Sequence, residues 1–171
     1  IRLTYGALSV IFRNWRSADL PRSRVDFSSS NPYSTFGTKL TTGVSFTRPY
    51  FWNISAHLIQ DDYDRLTAIW EKSDLARRSG GSPYMTLDDE SEEIFEEGAT
   101  LATLTRSVVT GTTPRLLNGG VYSYGRFQAE FSDPPKFGRW GRSQKAGAIN
   151  CQGGVRVCPV DLILEDTRIL I

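Results

Sequence analysis

Apolar and polar positions alternate with a period of two along several stretches of this chain, which predicts a protein built mainly of strands. In Trp52-Asn53-Ile54-Ser55-Ala56-His57-Leu58, the apolar Trp52, Ile54, Ala56 and Leu58 share one face, and Asn53, Ser55 and His57 share the other. That is the pattern of a half-buried strand. Residues 3–12 and 39–59 are rich in Thr, Val, Tyr, Phe and Trp, and both read as strands. Strand signals return over residues 84–87, 101–109, 120–131 and 160–171, separated by turn-rich segments such as Thr112-Thr113-Pro114 and Ser132-Asp133-Pro134-Pro135. In the last strand, Val160, Leu162 and Leu164 alternate with Asp161, Ile163 and Glu165, so it is expected to close the sheet.

One stretch has the period of a helix instead. Over residues 62–78 the apolar stripe is Tyr63, Leu66, Ile69 and Trp70, continued by Leu75 or Ala76. Asp61 is the expected N-cap, Asp62 and Asp64 suit the positive end of the dipole, and Arg77 and Arg78 suit the negative end before Gly80-Gly81. Residues 13–37, broken by Pro21, Pro32 and a run of serines, read as an irregular arm or loop. The expected architecture is a single β-rich domain over residues 1–171: a β-sandwich or barrel with one packed α-helix and long loop arms. No internal repeat is visible.

Charge changes the picture more than composition does. The formal net charge is only +1, but the charges come in blocks. Residues 1–50 carry seven cations and two anions, residues 51–100 four and twelve, and residues 101–171 nine and five. Sixteen of the twenty basic residues are Arg, the cation that pairs bidentately with carboxylates and is favoured at protein interfaces. No span is apolar and long enough to cross a bilayer as a helix, and no membrane insertion is expected.

Candidate chemistry is sparse. His57 is the only histidine, and its place in an alternating strand reads as structural. No nucleophile elbow, phosphate-binding loop or zinc-protease motif is present, so no enzyme activity, cofactor or metal is expected. A hydrolase of unfamiliar type would need a pocket where His57 meets a carboxylate or thiol. Cys151 and Cys158 flank a turn and could be bonded if their Cα atoms come within about 7 Å, or remain free buried thiols. The acidic run 88–97 holds seven carboxylates. It reads as a solvated loop, a docking surface for a basic neighbour, or a cation site. Arginines mix with aromatics around Trp15 and Trp140. Such mixtures can bind nucleic acid, but the near-neutral chain favours tryptophans packed under covering arginines, without dedicated nucleic-acid binding. The interface candidates are Arg13, Trp15, Arg16, Arg22, Arg24, Glu92, Glu93, Glu96, Glu97, Arg139, Trp140 and Arg142.

The segment Arg48-Pro49-Tyr50-Phe51-Trp52-Asn53-Ile54-Ser55-Ala56 is followed by the helix with Leu66 and Trp70, by Gly80-Gly81, and by Tyr84-Met85-Thr86-Leu87-Asp88-Asp89. This succession resembles the tail hub, distal-tail and minor tail proteins of tailed bacteriophages. Arg126-Phe127-Gln128-Ala129-Glu130-Phe131 and the terminal strand are similar to the closing strands of such domains. The resemblance implies a structural component of a virion tail, forming a homo-oligomeric ring at the tail tip, hub or baseplate. It further implies contacts with other tail or baseplate proteins, synthesis in a host cytoplasm, and no reaction to catalyse. The alternative from another class is a carbohydrate- or ligand-binding β-sandwich that uses exposed aromatics.

Overall fold

The alternation read in the sequence becomes burial in a computed structural model, which describes residues 1–13, 22–24, 50–143 and 155–167. In chain order the elements are β1 (Arg2–Tyr5), β2 (Leu8–Ile11), β3 (Arg22–Arg24), β4 (Tyr50–Leu58), α1 (Gln60–Ser79), β5 (Met85–Glu97), β6 (Arg115–Leu117), β7 (Gly120–Phe131), β8 (Lys136–Phe137), β9 (Gly141–Ser143) and β10 (Val155–Asp166). Every second residue of β7 from Val121 to Phe131 is buried, and β4 buries Trp52, Ile54, Ala56 and Leu58 as expected.

The strands pair antiparallel in the order β2-β1-β5-β7-β10-β4-β3, with β6 on β7 and β8 and β9 on β10. The protein is thus mainly β with one packed helix. Among the described residues the sheet does not close into a barrel, but it curls strongly. Three inter-strand steps separate β4 from β5, about 14 Å in a flat sheet. Even so, Trp52 Nε1 on β4 donates to Asp89 Oδ2 on β5 at 2.9 Å. The fold of the sheet over on itself produces the core, in which Trp52, Phe127, Leu87 and Leu164 are buried together. Trp52 and Tyr50 both meet the Phe127 ring, with centroids 4.9 and 5.3 Å away.

The helix contacts β1 and β2 at one flank of the sheet and β4 and β10 at the other. Its buried residues are Leu66, Ile69 and Ser73, and full burial of each apolar side chain contributes about 1.5–3 kcal/mol. The Ser73 hydroxyl satisfies itself on the Trp70 carbonyl at 2.9 Å. Gly80, at φ 76°, ends the helix in the left-handed region that favours glycine, its N–H returning to the Ala76 carbonyl.

Several expectations are corrected. The N-cap position belongs to Ile59, with no side-chain cap bond, and Asp61 lies inside the first turn. The stripe does not extend to Leu75, which is 61 % exposed. Residues 3–12 are a hairpin rather than one strand: Tyr5 pairs with Leu8 across a two-residue loop, and Gly6 supplies the positive φ of 59° that such turns need. The acidic run is no loop, because β5 runs through it to Glu97. Residues 101–109 are mostly turns, joined to the sheet by the bridge Val108 to Gly125 and by hydrogen bonds such as those of Thr105 to Glu96. The terminal strand begins at Val155, earlier than the expected residue 160, and lies between β7 and β4. Within the expected arm, β3 pairs with β4, and the rest of that arm lies outside the described residues.

Candidate functional site

The acidic strand β5 is where most of the chain's buried charge converges. Its register against β7 runs from Met85–Ala129 to Asp89–Gly125, then slips, resuming at Ile94–Ser123. Residues 90–93 therefore bulge out of the ladder opposite Tyr124 alone. Bulges bend a strand and re-aim its side chains, and here Asp88, Asp89, Glu92 and Glu93 each find a cation from elsewhere in the chain.

Asp89 points into the core and is fully buried. Its Oδ2 accepts from Trp52 Nε1 at 2.9 Å and from Arg22 Nη1 at 3.1 Å, while its Oδ1 accepts from the Ser91 backbone N–H at 2.9 Å and from the Ser91 hydroxyl. Arg22, reaching over from β3, also donates to Glu92 Oε2 at 2.9 Å. One guanidinium thus ties the edge strand of the sheet to both ends of the bulge. On the opposite face, Arg126 grips Asp88 with two bonds of 2.6 and 3.1 Å. Arg115 on β6 grips Glu93 with both ends of its fork. These pairs shift titration as expected: the Arg115 hydrogen bond holds the Glu93 carboxyl below its ordinary value, and the Asp88 hydrogen bond raises the Arg126 guanidinium. Glu96 Oε1 accepts from both the backbone and the hydroxyl of Thr105, pinning the following turn.

The interface candidates divide accordingly. Arg22, Glu92 and Glu93 come together at the bulge, and Glu96 is engaged beside it. Glu97 at the strand's end is exposed. Arg139 and Arg142 are exposed, and Trp140 is half-buried between Tyr63, at 5.2 Å, and the Arg156 guanidinium, at 5.0 Å. Arg13 is exposed beyond β2. Trp15, Arg16 and the side chain of Arg24 lie outside the described residues, as does Cys151. Cys158 is a buried free thiol.

Sequence reasoning missed Asp88, Asp89, Arg115 and Arg126 as members of this cluster. A signal existed for Asp89, since Met85, Leu87 and Asp89 continue one inward-facing row. An open depression of about 390 Å³ beside the bulge is lined by Arg22, Tyr50, Glu92, Glu93, Ile94, Phe95 and Tyr122. Among the described residues, no group of three or more His, Cys, Asp or Glu side chains is placed to hold a metal ion, and no helix is long and apolar enough to cross a membrane. His57, paired opposite Pro159 on β10, is half-buried.

Both Asp89 oxygens are bonded and neither faces solvent, and Glu92 and Glu93 are each paired with an arginine. The arrangement is suited to fixing shape rather than to moving protons. Compared with known proteins, the chain matches no family model, no curated protein and no solved structure.

Proposed function

We propose that this chain is a structural module of a virion tail, assembling as a homo-oligomer with other tail or baseplate proteins through the margin of its sheet. The observation that carries the assembly reading is the apolar character of that margin. On the β6–β7 hairpin, Leu116 and Leu117 are 65 % and 56 % exposed. Leu101 and Phe95 add 59 % and 41 % exposure in the neighbouring turn and strand. β6 pairs only with β7 among the described residues, so its outer edge offers unpaired backbone groups beside exposed leucines, a combination that favours pairing with another chain. The tail setting is supported by the resemblance, much of whose sequence falls on β4, α1 and the first half of β5.

The carbohydrate-binding alternative needs aromatic rings free to stack on a sugar. Trp52 is buried, while Trp70 and Trp140 are half-buried against Phe131 and Tyr63. That use of the described tryptophans counts against sugar stacking by them.

The test is the mass of the native chain by sedimentation velocity across a concentration series. The expected result is an oligomer that loses subunits when Leu116 and Leu117 are both replaced by Asp. A parent protein that stays monomeric at every concentration would sink the proposal.

A further inference from the structure

Three of the described arginines beside the acidic strand are matched to its carboxylates, but the stretch where β9 and β10 pair, residues 141–143 with 155–157, carries two arginines and no anion. Arg142 stands directly opposite Arg156 in the β9–β10 ladder. Both are exposed, and directly opposed residues share a face, where like charges repel. Neither makes an ion pair among the described residues. Arg156 is held in place by lying 5.0 Å over Trp140. Exposed Arg139 adds positive charge close by, whereas Lys136 stands opposite Asp161 in the β8–β10 ladder. Such a pair of forks, one of them pre-positioned, is built to receive carboxylates bidentately.

The same chain has anions to match. Glu90 and Glu97 are exposed on β5 and take part in no ion pair among the described residues. They flank the part of the strand whose carboxylates are already gripped from within.

We infer that the Arg142–Arg156 pair is a carboxylate clamp for β5 of a second copy of this chain, closing on one of its exposed glutamates, Glu90 or Glu97, which the β5–β7 register sets too far apart for two adjacent arginines to hold together. This rests on the assembly reading above and specifies one of its contacts. Charge complementarity favours the second copy over a nucleic acid. Trp140 already has Tyr63 and Arg156 against its ring, leaving no platform for a base, and the chain's net charge of +1 is small. The clamp and the two glutamates lie on different strands that share no ladder. Repeated head-to-tail, a contact between two such separate patches closes into a ring when its rotation allows.

The experiment compares the full chain with two double variants, Arg142→Glu/Arg156→Glu and Glu90→Arg/Glu97→Arg, by sedimentation velocity at low and high salt. All four residues are exposed, so the melting temperatures should match the parent's, and a thermal scan checks this. Each double variant should associate at least about tenfold more weakly than the parent at low salt, and an equimolar mixture of the two should recover part of the loss. Arg142→Lys/Arg156→Lys, which keeps the charge but not the forks, should fall between. If the parent assembles and both reversals assemble equally well, the clamp is overturned while the assembly reading stands; a monomeric parent overturns both. Displacement of assembled chain by a single-stranded oligonucleotide but not by inorganic phosphate, with assembly indifferent to the glutamate reversals, would reassign the clamp to nucleic acid.

Discussion

Trp52 and Asp89 lie 37 residues apart in sequence, on strands separated by two others in the sheet, yet the indole N–H donates to the carboxylate at 2.9 Å. That bond and the Arg22 ion pair on the same oxygen are the polar closure of an otherwise apolar core. Buried pairs of this kind are costly to break from one side only, because the surviving charge keeps its desolvation cost without its partner.

Replacing Asp89 by Leu should therefore destabilise the protein by about 3–5 kcal/mol. The double change Asp89→Leu/Arg22→Met should be milder than the single one, since it removes both charges together. Urea titration of the three proteins checks the order. Additive losses, with the double variant worse than Asp89→Leu alone, would mean that the two groups do not act as a pair.

Trp70 and Trp52 test the packing of the helix and the core separately. Trp52 is fully buried, whereas Trp70 is half-buried and meets Phe131 edge-on at 5.3 Å and 88°. The ring contact on Trp70 comes from Phe131 on β7. Trp52→Ala should cost about 3–5 kcal/mol, the range for a large buried aromatic, and Trp70→Ala about 2–3 kcal/mol. Equal losses, or a Trp70→Ala loss below about 0.5 kcal/mol, a value typical of surface changes, would contradict the placement of the helix.

How much of this could be read from residues alone depends on where each signal resides. β7 and β4 were legible because alternation is local: Val121 to Phe131 and Trp52 to Leu58 bury every second residue. The helix was legible from its stripe and from Gly80, but its start was not. Asp61 looks like a cap, yet the chain enters through Ile59, and Asp61 serves the dipole from within the first turn. The acidic strand was illegible for a physical reason. A run of carboxylates reads as solvated unless its partners are known, and those partners, Arg22, Arg115 and Arg126, come from 22 to 67 residues away and meet it only through tertiary structure. Arg22 itself sat in a segment with too many breakers to suggest a strand. The hydrophobic margin at Leu116 and Leu117 was likewise unreadable, because exposure is a property of the assembled sheet and not of the leucines.

Cys158 provides a prediction whose sign depends on burial. The thiol is fully buried on β10, its Sγ 3.3 Å from the Gly138 carbonyl oxygen. Loss of solvation pushes its pKa above the ordinary thiol value, and the backbone contact with Gly138 offsets only part of that rise. Folding therefore favours the neutral thiol. The contribution to stability is present below the ordinary thiol pKa, where both folded and unfolded chains are protonated. It is lost as the pH rises from that value toward the higher folded one, because the unfolded chain releases its proton first. Native protein at neutral pH should leave Cys158 unalkylated by iodoacetamide over a period that fully labels the urea-unfolded chain, as read by peptide mass spectrometry. In the same window a Cys158→Ala variant, although less stable overall from the lost packing, should show a flatter decline of stability with rising alkaline pH than the parent. Rapid native labelling of Cys158, or parallel alkaline declines in parent and variant, would place this thiol in contact with solvent and remove it from the core.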